Sequence, residues 1–168
     1  MMSDDITSRL ALPLLQPGQA QKETTHNEAL VLLDLTVQAS VLAVGTNAPP
    51  ASPSVGDAWI VGDAPTDGWI GQPRAIAGWT RGGWRFVTAR DGMAVWSVAD
   101  GQVVRFGGGV WKIGVLAGSR VTIGGVGVVG PQRTGIAEPS GGPTVDLAAR
   151  TAIGAILDAL RGHGLISV

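Results

Sequence analysis

The chain has 168 residues, a net charge of −1, charged residues at 15% and 26 glycines, with glycine at about twice its ordinary share. That length suits one domain, or a small domain with extensions; the charge balance speaks against nucleic acid, whose binders carry a basic face, and zero cysteines exclude disulfides and thiolate metal sites. The opening MMSDDITSR is acidic and polar, unlike a secretory signal, and the apolar run 29–44 is interrupted by Asp34 and Gln38, so the expectation is a soluble protein made in the cytoplasm, without membrane insertion.

Residues 1–24 read as an extended arm, because Pro13 and Pro17 in LALPLLQPGQAQ disfavour helix. Residues 25–48 read as a helix and a linker. Thr25 and Glu28 have the Thr-x-x-Glu spacing of a capping box, in which each side chain satisfies the other's free backbone donor. Ala29, Leu32, Leu33, Val37, Val41 and Leu42 mark an apolar face that Leu30, Val31 and Leu35 widen. That breadth predicts a helix buried on more than one side and ending near Val44. TNAPPASPSVG then supplies the linker.

All six tryptophans and both phenylalanines fall between Trp59 and Trp111. Large rings dominate the burial of small cores. Residues 49–116 are therefore expected to form the one compact domain, a Trp-rich antiparallel β-domain of about six strands, with the flanks stabilised elsewhere. A shift of 27 residues lays IAGWTRGGWRF, residues 76–86, on VVRFGGGVWKI, residues 103–113. Trp79 falls on Phe106, Gly82 on Gly109, Trp84 on Trp111 and Arg85 on Lys112; Trp69 and Trp96 share the same spacing. We read two copies of one hairpin. A two-residue loop at Arg81 and Gly82 sets Trp79 opposite Trp84 on one face, with Ala77 and Phe86, and leaves Ile76, Gly78, Arg85 and Val87 on the other. Phe106 and Trp111 form the matching structural aromatic pair.

Residues 117–143 alternate β-branched residues with glycine and lack aromatics. Such strands are weak alone and are expected to pair with the main sheet or with another chain. Residues 144–168 hold a second helix, with Ala149, Ala152, Ile153, Ile156, Leu157 and Leu160 as its apolar stripe and Gly162 as its C-cap. A narrow, alanine-rich stripe suits close helix packing, including packing about a symmetry axis. The predicted fold class is thus mainly β with flanking helices.

Chemistry is sparse. His26 and His163 stand in separate flanks, and no cluster has the three or four converging ligands that a metal needs. The glycine-rich VGPQRTG and IGGVGVVG lack the lysine and helix of a phosphate loop. The aspartates at 57, 63, 67, 91 and 100 mostly neighbour glycine or proline, as turn formers do. An enzyme is not expected, nor a cofactor. The surplus of tryptophan does suggest a sugar platform, with Trp69 stacking on a pyranose and Arg81 and Asp67 binding hydroxyls. Trp69 is chosen for its turn-rich setting, PTDGWIGQP.

Three stretches carry a family resemblance: LPLLQPGQAQKETTHNEALVLLD, PPASPSVGDAWIVG and the GW-rich hairpins. They resemble an alphaproteobacterial group of prophage and gene transfer agent proteins that serve as head-spike or tail-fibre components. TVDLAARTAIGAILDALRGHGLI is similar to the helical ends of that group. The likeness covers residues 10–113 and, less closely, 129–168. It implies a structural component of a phage-like virion, at a capsid vertex or in a fibre, associated as a homo-oligomer (pentamer or trimer) with other virion proteins. Host capsular polysaccharide is the implied ultimate target. The alternative reading is a carbohydrate-binding module for that polysaccharide.

Overall fold

The structure, a computed structural model, describes residues 6–15, 22–142 and 146–167. The fold is mainly β, with a helix near each end. The chain divides into two compact units, one through Val115 and one from Leu116.

In the first unit, helix α1 (Lys22–Thr36) is followed by two short strands, β1 (Ser40–Val41) and β2 (Val44–Thr46). Six longer strands come next: β3 (Ala58–Val61), β4 (Ile76–Thr80), β5 (Gly83–Val87), β6 (Ala94–Ser97), β7 (Gln102–Gly107) and β8 (Val110–Ile113). They assemble as two four-stranded sheets, ordered β2-β3-β4-β5 and β1-β6-β7-β8. Within each, the first pair is parallel and the other two are antiparallel.

The repeat is real and larger than a hairpin. Trp79 pairs with Trp84 and Ala77 with Phe86; in the second sheet Phe106 pairs with Trp111 and Val104 with Ile113. Arg81 and Gly82 form the two-residue connection between the paired Thr80 and Gly83. The registers extend one strand further. Gly78 faces Ala58 across β3 as Arg105 faces Ala94 across β6, which makes Trp59 the counterpart of Val95 and Ile60 that of Trp96. The shared spacing of Trp69 and Trp96 is therefore no part of the repeat. Trp69 lies in a 3-10 turn (Asp67–Trp69) within the long β3–β4 loop, whereas Trp96 lies in β6.

Sequence pattern misplaces the end of α1. The helix stops at Thr36, and residues expected to continue it form β1 and β2. Gln38 adopts φ 47°, the left-handed conformation that terminates helices. The β-branched run that follows then finds extended partners. Trp96 N–H donates to Ala39 C=O at 2.8 Å, and Ile60 N–H donates to Ala43 C=O at 3.0 Å. One strap, residues 40–46, thus gives each sheet its parallel edge.

The aliphatic core brings the end of α1 and both sheets together: Leu35, Ala39 and Val41 with Ala58, Ile60 and Ile76 of the first and Val95 and Val104 of the second. This corrects the expectation that residues 49–116 hold the compact core alone. The segment ahead of them supplies part of it. Close approach at Gly78 is one reason: a Cβ there would stand 2.3 Å from Leu35 Cδ2, so only glycine lets the helix sit so near the strand. On its opposite face the first sheet buries a ring cluster built around Trp59, Trp69 and Trp84.

The second unit contains a hairpin, β9 (Val121–Ile123) with β10 (Val126–Val129), and helix α2 (Leu147–Gly162). Asp146 caps α2, its carboxylate accepting from Ala149 N–H at 3.0 Å. The helix runs through Gly162 and is capped by His163. Gly164, at φ 70°, supplies the left-handed residue after the cap, which corrects the reading of Gly162 as the C-cap. Residues 143–145, where the second helix was expected to begin, lie outside the described residues.

Candidate functional site

The residues that the sequence proposes as a glycan platform do not form one. Trp69 is fully buried. Its ring meets Trp84 edge-on with centroids 5.1 Å apart, and Trp59 at 6.3 Å. The reason is loop length. The β3–β4 loop is long enough to fold back over its own sheet, and Asn47 holds it there, its side-chain oxygen accepting from Ala64 N–H at 3.1 Å and its carbonyl from Thr66 N–H at 2.8 Å. An indole surrounded by two others offers no face to a sugar. Asp67 accepts from Thr66 Oγ at 2.9 Å, and Arg81 lies on the β4–β5 turn. The surplus of tryptophan is consumed by packing, with Trp79 completing the row against Trp84 at 5.0 Å. Such tilted and edge-on contacts suit the ring quadrupole.

The matching pair in the second sheet, Phe106 and Trp111, lies at 5.2 Å. Trp111 also latches the two sheets. Its Nε1–H donates to the Arg74 carbonyl at 2.7 Å, while Arg74 donates through Nη1 to the Gly109 carbonyl at 2.9 Å and through Nε to Asp63 at 2.6 Å. No local signal in the sequence pairs residues so far apart.

Thr25 is an exposed residue inside α1, three positions beyond Lys22, so it is not an N-cap. Glu28 does not reach back to it. It accepts from Arg85 Nε at 2.5 Å, tying the helix to β5. Asp34, fully enclosed, organises the arm instead. Its carboxylate accepts from Thr7 Oγ at 2.8 Å, Arg9 N–H at 2.9 Å and Leu10 N–H at 2.6 Å. Arg9 returns a bond to the Asp34 carbonyl at 2.5 Å. The arm is thereby fastened to its own unit.

Between the arm, α1 and the β4–β5 turn runs a groove of about 460 Å³. Leu14, Val31, Leu35 and Val55 give it apolar walls, and Glu28 and Arg85 stand at its polar side. Glu28 and Arg85 pair with each other, and Asp34 is held by the arm. Among the described residues no three His, Asp or Glu side chains converge on a common point. His26 and His163 are both exposed. Among the described residues no helix is long and apolar enough to cross a membrane.

A family model described as a protein of unknown function, DUF2793, matches residues 26–112, more than half of the chain. The chain belongs to the DUF2793 family. The match runs from α1 to β8, so it takes in both sheets and the strap between them. Among curated proteins none matches the chain.

The second unit presents a different kind of surface. Every described residue from 117 to 142 is exposed. Val121, Ile123, Val126, Val128 and Val129 of the hairpin are at least 44% accessible, and on α2 Ile153 and Ile156 are open as well. Of the predicted α2 stripe, only Leu157 is buried. Among the described residues this unit has eleven exposed large apolar side chains and two buried ones, Leu157 and Ile166. That ratio inverts the usual order.

Proposed function

We propose that this chain is a structural subunit of a phage-like particle, a head-spike base or fibre component that works by self-association of its second unit. The observation that carries the reading is the exposure of the β9–β10 hairpin and the α2 stripe. A two-stranded hairpin is marginal in water, and large apolar side chains left open in this number mark interaction sites. Copies of the same unit are suitable partners. Hairpin edges pair with hairpin edges, and alanine-rich helix faces pack closely about an axis. The virion assignment rests on the sequence resemblance over residues 10–113.

Sedimentation of the full chain tests the association. A trimer or pentamer is expected, and Val128→Lys, which alters an exposed residue, should shift it towards monomer without changing its circular dichroism. Antibody labelling of purified particles tests the location. A folded monomer at high concentration, together with absence from particles, would remove the proposal.

A further inference from the structure

Trp96 is the one tryptophan whose exposure the packing leaves without a structural account: it is 47% accessible on β6, between the buried Val95 and Ser97. Strand alternation therefore turns it to the outer face of the second sheet. Register places Val103 opposite it, and one step along the same face Arg105 stands opposite both Ala94 and Lys112. Ala94, Arg105 and Lys112 are all exposed. The small side chain of Ala94 leaves a shallow floor beside the indole, about 7 Å along the strand from Trp96, with the guanidinium and the ammonium at its far side. Among the described residues neither cation forms an ion pair with a carboxylate. The four strands of this sheet contain no aspartate or glutamate.

We infer that the Trp96, Arg105 and Lys112 face binds an acidic polysaccharide, with one pyranose stacked on the indole and its carboxylate taken by Arg105 and Lys112. A flat ring accepts the C–H face of a sugar, and a guanidinium pairs a carboxylate through two parallel hydrogen bonds. The charge on this face decides between occupants. Apposing this face to the same face of a second copy would gather four positive charges in one interface, which disfavours association. Single-stranded nucleic acid calls for a cationic groove with successive aromatic platforms, and here one indole stands beside two cations. The inference is independent of the self-association reading, since its readout is the environment of Trp96 and not the oligomeric state.

The test is titration of the full-length protein with polygalacturonate, followed by indole fluorescence and calorimetry, with neutral dextran as the control. Saturable binding of polygalacturonate is expected, weakened by salt, with none to dextran. Trp96→Ala should abolish it. The Arg105→Gln, Lys112→Gln double variant should weaken it by about tenfold or more, both proteins keeping the wild-type circular dichroism. The inference is overturned by no binding, by equal binding of dextran, by undiminished binding in either variant, or by tighter binding of oligothymidylate. It is equally overturned if Trp96→Ala changes the sedimentation of the protein and leaves polygalacturonate binding intact.

Discussion

The two sheets of the first unit share one plan and meet different surroundings. Each has a parallel edge strand, a central strand and an aromatic hairpin in the same register. The first is covered on both faces, by the aliphatic core and by the ring cluster. The second is covered on one. Equivalent positions consequently carry opposite residues: Gly78, where Leu35 presses close, corresponds to Arg105, which is exposed. Ile60, fully enclosed, corresponds to Trp96, half open. Register is the property that repeats; residue type follows whatever lies above the strand.

The largest test of that contrast uses the two tryptophans that share the spacing of the repeat without sharing its position. Trp69→Ala should cost about 3–5 kcal/mol, as for other buried rings. Trp96→Ala should cost less than about 1 kcal/mol, as for an exposed substitution. Urea unfolding followed by circular dichroism measures both, and similar losses would break the comparison.

Next comes the helix-facing position. Gly78→Ala should destabilise by about 1–3 kcal/mol through overpacking, while Arg105→Ala should stay within about 0.5 kcal/mol. In a Leu35→Ala background the Gly78→Ala penalty should largely vanish, because the clash is specific to that pair.

The hairpin turns offer a finer probe. Gly108 and Gly109 have φ of 66° and 79°, the signature of a type I′ turn. At the equivalent turn it is Gly83, after the two loop residues, that takes positive φ, at 94°. Gly109→Ala should therefore cost about 1 kcal/mol, and Gly82→Ala less, since Gly82 has no positive φ and its new methyl would meet only the Arg85 guanidinium, at 3.0 Å. Smallest of all, Glu28→Gln should lose no more than about 1 kcal/mol, and less at high salt, because both partners in its ion pair with Arg85 are partly solvated.

What the sequence discloses and what it hides divide along physical lines. The hairpin registers are legible because a two-residue turn and a side-chain period of two leave no freedom: once Arg81 and Gly82 are the turn, Trp79 must face Trp84. The end of α1 is not legible, since a short apolar run such as 37–44 suits a buried strand and a buried helix equally. The fate of Trp69 is hidden for another reason. PTDGWIGQP has the composition of an exposed turn, and nothing local announces that the loop folds back beneath Asn47. Trp96 could have been found by alternation within AVWS, where Val95 and Ser97 point inward together, although its cationic neighbours on β7 and β8 need the register as well. The tie between Glu28 and Arg85, and the enclosure of Asp34 by the arm, depend on tertiary approach alone.

The strap at residues 40–46 bears on the order in which this architecture can assemble. Each aromatic hairpin zips from its own turn at little entropic cost, whereas the strap must wait for partners far along the chain before either of its pairings exists. Pulse-labelled hydrogen exchange during refolding should find the amides of Gly83, Arg85 and Val87 and of Val110 and Lys112, which face their hairpin partners, protected early, and those of Leu42 and Trp96 late. A single late closure then completes both halves together, so neither repeat has a finished state of its own in which to pause.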